Sequence, residues 1–265
     1  MINNIRFELT FKDISQLENK LNFCKFNNIN YINIPCKGLI KKEFFNSTFD
    51  YISKNFGEFN VTFHYSLSHQ YSKNRENSLQ EFLNFVRKSF SNKNHEILLV
   101  SGSNKKKNFD VISVLSDMKK EENLKVKFGI AYNPYLKKYY NLTHERERYE
   151  KKISSGLIKS VWLQFGTDIK ELEREVTYIK NGNKNEKLNL YGSLLIPSKQ
   201  FVSRFNFRPW KGVHISRNYL SSLEDFYSFT NDLVCFYKEN NITPIIETEF
   251  ASSDKLDLIY NFLRN

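Results

Sequence analysis

The sequence predicts an α/β protein: a single (β/α)8 TIM barrel domain spanning residues 1–265. Three observations predict it. Eight short runs rich in Ile, Val, Phe and Tyr recur along the chain, as strands require. Amphipathic segments with helix caps separate most of them, which is the order of a parallel sheet with helical crossovers. No glycine-rich phosphate loop follows the first strand, which disfavours a doubly wound open sheet, the alternative architecture. Length agrees, because 265 residues with 40% hydrophobic content suffice for one core of barrel size. No internal repeat, low-complexity linker or domain boundary stands out.

The predicted strands are residues 5–9, 31–35, 61–65, 96–100, 126–132, 160–165, 188–195 and 244–248. Asp13 caps a first helix bearing Leu17, Leu21 and Cys24. Ser78-x-x-Glu81 has the form of a capping box ahead of Phe82, Leu83, Val86 and Phe90. Phe109, Ile112, Leu115 and Met118 mark another helix. A further one opens near Thr143 and stops at Gly156. Asp168-x-x-Glu171 is a second capping box, ahead of Leu172, Val176 and Ile179, and Asn181-Gly182 closes that helix. The long connection before the last strand is expected to hold a loop over residues 201–213 and one extra turn. A long helix bearing Leu223, Phe226, Leu233 and Phe236 follows Ser222. Leu256, Ile259 and Phe262 mark the last helix.

Charge and cysteines narrow the partners. Net charge is +11, with 40 Lys+Arg against 29 Asp+Glu. The lysines are spread out, and the one run, Lys105-Lys106-Lys107, falls in a predicted loop. A solvated basic surface is the plain reading, and attraction of an anionic small molecule is the second. No recognised nucleic-acid module accompanies the charge, so no nucleic-acid partner is expected. Cys24, Cys36 and Cys235 lack metal spacing, and their odd number points to reduced thiols in a cytoplasmic protein. No signal peptide is expected, and no apolar run approaches the ~20 residues of a membrane helix. Oligomeric state is not read from the sequence, and a homo-oligomer stays open.

In a barrel, chemistry gathers at the carboxyl ends of the strands. The polar residues expected there are Glu8, His64, Ser101, Ser103, Tyr132, Gln164, Ser193, Glu247 and Glu249. Glu8 sits between Phe7 and Leu9. Pointing inward, its carboxyl would lie in an apolar wall, as suits a general acid; pointing outward, it would meet a lysine. His64 is as well explained by a hydrogen bond to backbone. Asp168 is explained by its capping box. Glu145 and Lys152 lie seven apart, so they share one helical face. The five histidines are scattered and no carboxylate cluster stands with them, so no metal site is expected. No nucleophile elbow or phosphate loop occurs.

These residues occur in a recognisable order, and nearly the full length of the chain resembles the catalytic barrel of methylenetetrahydrofolate reductases. Phe7-Glu8 is similar to that family's Phe-Glu, whose glutamate is the general acid. His64 is similar to the histidine of its Pro-His-Leu-Thr, which lies at the flavin. Ala131-Tyr132 resembles its Ala-Tyr-Pro-Glu. Glu145 and Lys152 match an acid and a lysine that contact the flavin. Leu163-Gln164-Phe165-x-x-Asp168 resembles its Thr-Gln-Phe-Phe-Phe-Asp, whose glutamine binds folate. Tyr191-Gly-Ser-Leu-Leu-Ile-Pro197 resembles its strand seven. The resemblance implies Glu8 as catalytic acid and His64, Tyr132, Glu145 and Lys152 as cofactor-binding residues. It assigns Gln164 and Ser103 to the substrate.

The implied activity is interconversion of 5,10-methylenetetrahydrofolate and 5-methyltetrahydrofolate. NADH or NADPH would be co-substrate, and FAD the bound cofactor. Two departures matter. Ser101-Gly102-Ser103 stands where the family has Arg-Gly-Asp, whose aspartate recognises the pterin and tunes the flavin. The segment Arg208-Pro209-Trp210-Lys211-Gly212 has no counterpart in the best-known members. The departures leave open hydride transfer without flavin. They also leave open an alternative function: a folate-binding or methyl-transfer barrel with no flavin redox step.

Overall fold

Strand and helix alternate from end to end. The computed structural model describes residues 5–36, 41–102, 109–120, 128–136, 142–182, 188–210 and 212–264. The strands are β1 (Arg6–Glu8), β2 (Tyr31–Ile34), β3 (Asn60–Ser66), β4 (His95–Val100), β5 (Phe128–Tyr132), β6 (Ile158–Leu163), β7 (Asn189–Leu194) and β8 (Ile242–Ile246). They close in chain order into one barrel, and the registered pairs are parallel. The helices that follow β1 to β6 are α1 (Ile14–Phe26), α2 (Lys42–Asn55), α3 (Arg75–Phe90), α4 (Val111–Met118), α5 (Leu142–Ile153) and α6 (Ile169–Gly182). Three helices follow β7: α7 (Lys199–Phe207), α8 (Arg217–Ser221) and α9 (Leu223–Glu239). Helix α10 (Ser253–Arg264) follows β8. The predicted (β/α)8 barrel is therefore the observed fold.

Local chemistry explains most of the helix starts. Asp13 accepts from the Gln16 N–H at 2.8 Å, and Asp168 accepts from the Glu171 N–H at 3.0 Å, both as expected of caps. Ser222 caps α9, and Asp110 forms a reciprocal box with Ser113 at α4. The proposed box at Ser78 is corrected. Asn74 is the cap of α3, and Ser78 lies buried inside the helix with its hydroxyl on the Asn74 carbonyl. Glu81 is instead paired with Lys42. A second correction concerns the connection after β7, where residues expected to be loop form α7 from Lys199 to Phe207. Ser198 caps α7, and Phe205 is its buried anchor. Helix α2, not singled out from the sequence, buries Phe45, Phe49 and Ile52 on one face.

Contacts within the chain divide it into two compact units. The first holds residues 7–131 and 148–159. Its core is aromatic. Phe63 and Tyr65 of β3 meet Phe45 and Phe49 of α2 and Phe82 and Phe85 of α3, with ring centroids 4.9 to 6.3 Å apart. Each fully buried ring of this kind contributes about 2 kcal/mol by area. The odd-numbered residues of β3 therefore face the helices. The even-numbered ones, Thr62, His64 and Ser66, face the other way. Register carries that alternation across, because Asn33 pairs Thr62, Glu8 pairs Asn33 and His64 pairs Leu98.

The second unit holds residues 1–6, 132–147 and 160–265. Here Gly192 of β7 faces the helices. A methyl group on it would lie 2.4 Å from the ring of Tyr237 on α9, so only glycine fits. Its neighbours Tyr191 and Ser193 must then face inward, as do Trp162 and Thr243, which register with Tyr191. On that inner face the Arg6 guanidinium lies 5.7 Å from the Trp162 ring centroid and 5.6 Å from that of Tyr191. The two rings stack at 4.4 Å, and Arg6 is buried. A cation held on aromatic faces fills a layer that branched aliphatic residues fill in most such barrels.

Candidate functional site

Taking the first unit alone, Glu8 ends β1 and faces inward beside Asn33 of β2. It is 8% exposed, and Asn33 is fully buried. The register thus resolves the two orientations that the sequence allowed. His64 lies on the same inner face and is half-buried. At the end of β3 and just past β3 and β4, the hydroxyls of Ser66, Ser68 and Ser101 have no hydrogen-bond partner among the described residues. Ser66 and Ser68 close on Gly102, whose φ is +80° and whose Cα has no room for a side chain. This is where the resemblance placed Arg-Gly-Asp, and a hydroxyl-lined wall stands there instead. Ser103 and the Lys105–Lys107 run lie outside the described residues. Buried Cys36 accepts a hydrogen bond from Gln70 at 3.4 Å, and burial pushes its thiol above the usual range.

Lys152 of α5 is 4% exposed, and its ammonium donates to the Ala131 carbonyl at 3.2 Å. One of the three N–H donors of its amine is thus used on the backbone of β5.

Within the second unit, Tyr132 does not face inward. Its hydroxyl donates to Glu175 of α6 at 2.5 Å, and the ring is 1% exposed. Arg146 of α5 donates to the two Glu175 oxygens at 3.1 and 2.7 Å, and Arg174 adds a third N–H at 3.2 Å. Burial pushes the Glu175 carboxyl up, but these donors outweigh it and hold it below the usual range. Burial and the neighbouring Glu175 raise the Tyr132 hydroxyl well above that of a free tyrosine. Tyr132 therefore serves the joint between β5, α5 and α6. Glu145, also on α5, is 6% exposed.

Gln164 follows β6. Its N–H donates to the Tyr132 carbonyl at 2.9 Å, and its half-buried side chain has the inner-face phase of Ser160 and Trp162. Two strands away, the Glu247 N–H continues the β7–β8 ladder to Leu194 at 3.1 Å. The Ser193 hydroxyl donates to the Glu247 carboxylate at 2.5 Å. Tyr237 in turn holds the Ser193 carbonyl at 2.9 Å. Gln164, Ser193 and Glu247 thus share the inner face at the carboxyl end of this unit's strands. The sequence flagged each of them, but not the link between Ser193 and Glu247.

The segment after α7 braces the same unit. Asn133 donates to the Gly212 carbonyl, Thr167 N–H to His214, and Ser216 N–H to the Thr167 hydroxyl, at 2.8 to 3.0 Å. Trp210 packs on Phe201 and Phe205 and is 45% exposed. Lys211 lies outside the described residues. A polar cavity of about 760 Å3 lies beside this segment, lined by Asp168, His214, Arg217, Tyr219, Asp225 and Asp232 among others. It contains none of the strand-end residues that the sequence singled out. No group of His, Cys, Asp and Glu suited to a metal occurs among the described residues, and no described helix is long and apolar enough to cross a membrane.

No family model matches the chain, and no curated protein matches it in sequence. Its fold is similar to that of a solved protein from Clostridium thermocellum, described as uncharacterized and as binding two copies of 5-methyl-5,6,7,8-tetrahydrofolic acid. The likeness has a TM-score of 0.60 at 13% identity and covers 98% of this chain and 93% of that one.

Proposed function

We propose that this chain binds a reduced folate at the carboxyl ends of its strands. The observation that carries the reading is the polar inner face at that end. The second unit presents Gln164, Ser193 and Glu247 there. A pterin ring carries donors and acceptors around its edge and needs such a mixed set of partners. The Clostridium thermocellum protein, alike in fold over most of both chains, binds a methylated member of that ligand class. Titration of the purified protein with 5-methyltetrahydrofolate, followed by calorimetry, tests the proposal. Saturable binding is expected, and no heat at millimolar ligand would sink it.

A catalytic reading has one observation in its favour, the inward, nearly buried carboxyl of Glu8. In that reading Glu8 gives a proton to a nitrogen of 5,10-methylenetetrahydrofolate. The five-membered ring opens to an iminium, and a hydride from NADH or NADPH reduces the bridging carbon to a methyl group. One proton and one hydride are consumed, giving 5-methyltetrahydrofolate and oxidised nicotinamide. Of the residues expected to hold a flavin, Tyr132 does not fit, because its hydroxyl is taken by Glu175. Lys152 donates to the Ala131 carbonyl, which uses one of its three N–H donors. We therefore derive no step through a flavin. Oxidation of NADH or NADPH by the protein with methylenetetrahydrofolate, and its visible spectrum, test this second reading. An inert protein that still binds folate leaves binding or methyl transfer as the function.

A further inference from the structure

We infer that the cleft between α2 and α3 is a ligand site, and that it takes an uncharged, flat nitrogen heteroaromatic ring with a lactam edge, as in uracil or hypoxanthine. The cleft lies within the first unit, on the helix side of β3, and has a volume of about 360 Å3. That is the size of a small-molecule site. It stands independently of folate binding.

The floor of the cleft is buried and polar. Tyr65 of β3 points out of the barrel wall between the two helices, and its ring packs on Phe45, Phe82 and Phe85. It is 3% exposed, yet its hydroxyl, which opens on the cleft, makes no hydrogen bond to a described residue. A tyrosine buried to that degree ordinarily has a partner, because leaving the hydroxyl unpaired is costly. Burial pushes its pKa above the usual tyrosine range, so the hydroxyl stays a donor. Gln70 also lines the cleft and is 1% exposed. Its amide donates to the Cys36 sulfur at 3.4 Å, and its backbone N–H is held by the Ser66 carbonyl at 2.9 Å. The amide oxygen accepts from no described residue. A hydroxyl that donates and an amide oxygen that accepts match the adjacent C=O and N–H of a lactam.

The walls and ends set the rest of the ligand. Phe49 and Phe85, both buried, give the lining its aromatic surface, which suits a flat ring. Two ion pairs stand at the ends, Lys42 with Glu81 and Lys88 with Asp50 at 2.9 Å. Lys42 and Asp50 are eight residues apart on α2, roughly 12 Å along its axis, which is room for a one- or two-ring molecule. The four charges cancel within the cleft, although the chain as a whole carries +11. A charged ligand would have to open one of the pairs, and an uncharged one leaves both intact.

The experiment uses uracil and hypoxanthine as probes, and 1,3-dimethyluracil as the control that keeps the ring and lacks its N–H donors. Saturation-transfer NMR on the whole chain detects binding, titration gives the affinity, and a thermal melt of each protein reports folding. Wild type should bind uracil or hypoxanthine at millimolar concentration, and 1,3-dimethyluracil roughly 2- to 10-fold more weakly than uracil, the range for one neutral hydrogen bond. Tyr65→Phe should weaken the bound probe by a similar factor and leave Tm unchanged or slightly raised, because the hydroxyl it removes has no partner in the fold. Asn46→Trp, at an exposed lining position of α2, should fill the cleft and abolish binding with little change in Tm. Silence of the wild type toward both probes overturns the inference. Equal affinity for uracil and 1,3-dimethyluracil removes the lactam edge from it. Binding that both variants leave intact would place the probe elsewhere and overturns it, as does a clear fall in Tm for Tyr65→Phe, which would show the hydroxyl serving the fold.

Discussion

His95 gives a prediction that needs no ligand. It is the first residue of β4, is 4% exposed, and faces the aromatic core of its unit. Its ring centroid lies 5.5 Å from that of Phe49 and 5.2 Å from that of Phe63, and neither ring nitrogen has a hydrogen-bond partner among the described residues. Burial lowers its pKa from 6.5 to about 4. The native state therefore holds the imidazole neutral, while the unfolded chain takes up a proton near pH 6.5. Stability from this group is fully present above pH 6.5 and is lost as pH falls toward about 4. One pH unit within that window is worth ~1.4 kcal/mol, so the loss reaches about 2 kcal/mol by pH 5 and about 3 kcal/mol at its end. Urea denaturation at pH 7.5 and pH 5 measures it. The wild type should lose about 2 kcal/mol more over that interval than His95→Phe does, whatever their difference at pH 7.5. Equal losses in the two proteins would refute the neutral buried histidine.

Three further outcomes follow from the geometry. Tyr132→Phe should cost about 2 kcal/mol in urea stability, for loss of a buried hydrogen bond to the charged Glu175, and leave 5-methyltetrahydrofolate affinity unchanged. Weakened binding with unchanged stability would move Tyr132 to the ligand. Gly192→Ala should destabilise by about 1–3 kcal/mol, read as a fall in Tm, because the added methyl meets the Tyr237 ring at 2.4 Å; a neutral substitution would mean that Tyr237 is free to move. Glu8→Gln should lower methylenetetrahydrofolate reduction by roughly 100-fold if the chain is a reductase, and near-native turnover would remove Glu8 as the acid.

The architecture was legible because each layer of the barrel writes its own period into the sequence. Strand runs of Ile, Val, Phe and Tyr marked all eight strands to within a few residues. Caps were legible where the side chain is the first polar group before the apolar face, as at Asp13 and Asp168. The Ser78 error has a physical origin. Ser78-x-x-Glu81 has the form of a capping box, but Asn74 caps the helix one turn earlier through the Asn77 N–H, and a helix starts at the first cap that its following residues can sustain. The polar residues before Leu79 hid that first turn. Helix α7 was hidden for a related reason. Of its aromatic residues Phe201, Phe205 and Phe207, only Phe205 is buried and Phe207 is 91% exposed, so no amphipathic stripe stands out.

The candidate site was legible as residue types and less so as directions. Tyr132 and Gln164 end neighbouring strands, and a sequence motif treats them alike. Strand alternation does not. Tyr132 has the phase that meets α6, and Gln164 has the phase that faces inward. That phase is fixed by what lies against each strand: Tyr237 against Gly192 in one unit, and Phe45, Phe49 and Phe85 against Phe63 in the other. A single sequence does not contain those partners as neighbours.

The same alternation separates the two kinds of buried charge in this chain. Glu175 faces a helix joint, is fully buried, and has three donor side chains around it. Taking away one donor leaves a carboxylate in low dielectric, so the cluster can serve only as a fixed joint. Glu247 faces inward, is half-buried, and accepts a hydrogen bond from the Ser193 hydroxyl. Sequence shows two glutamates of similar setting, one on a helix and one after a strand. The donors around Glu175, two guanidiniums and a phenol, assign that glutamate to holding the fold.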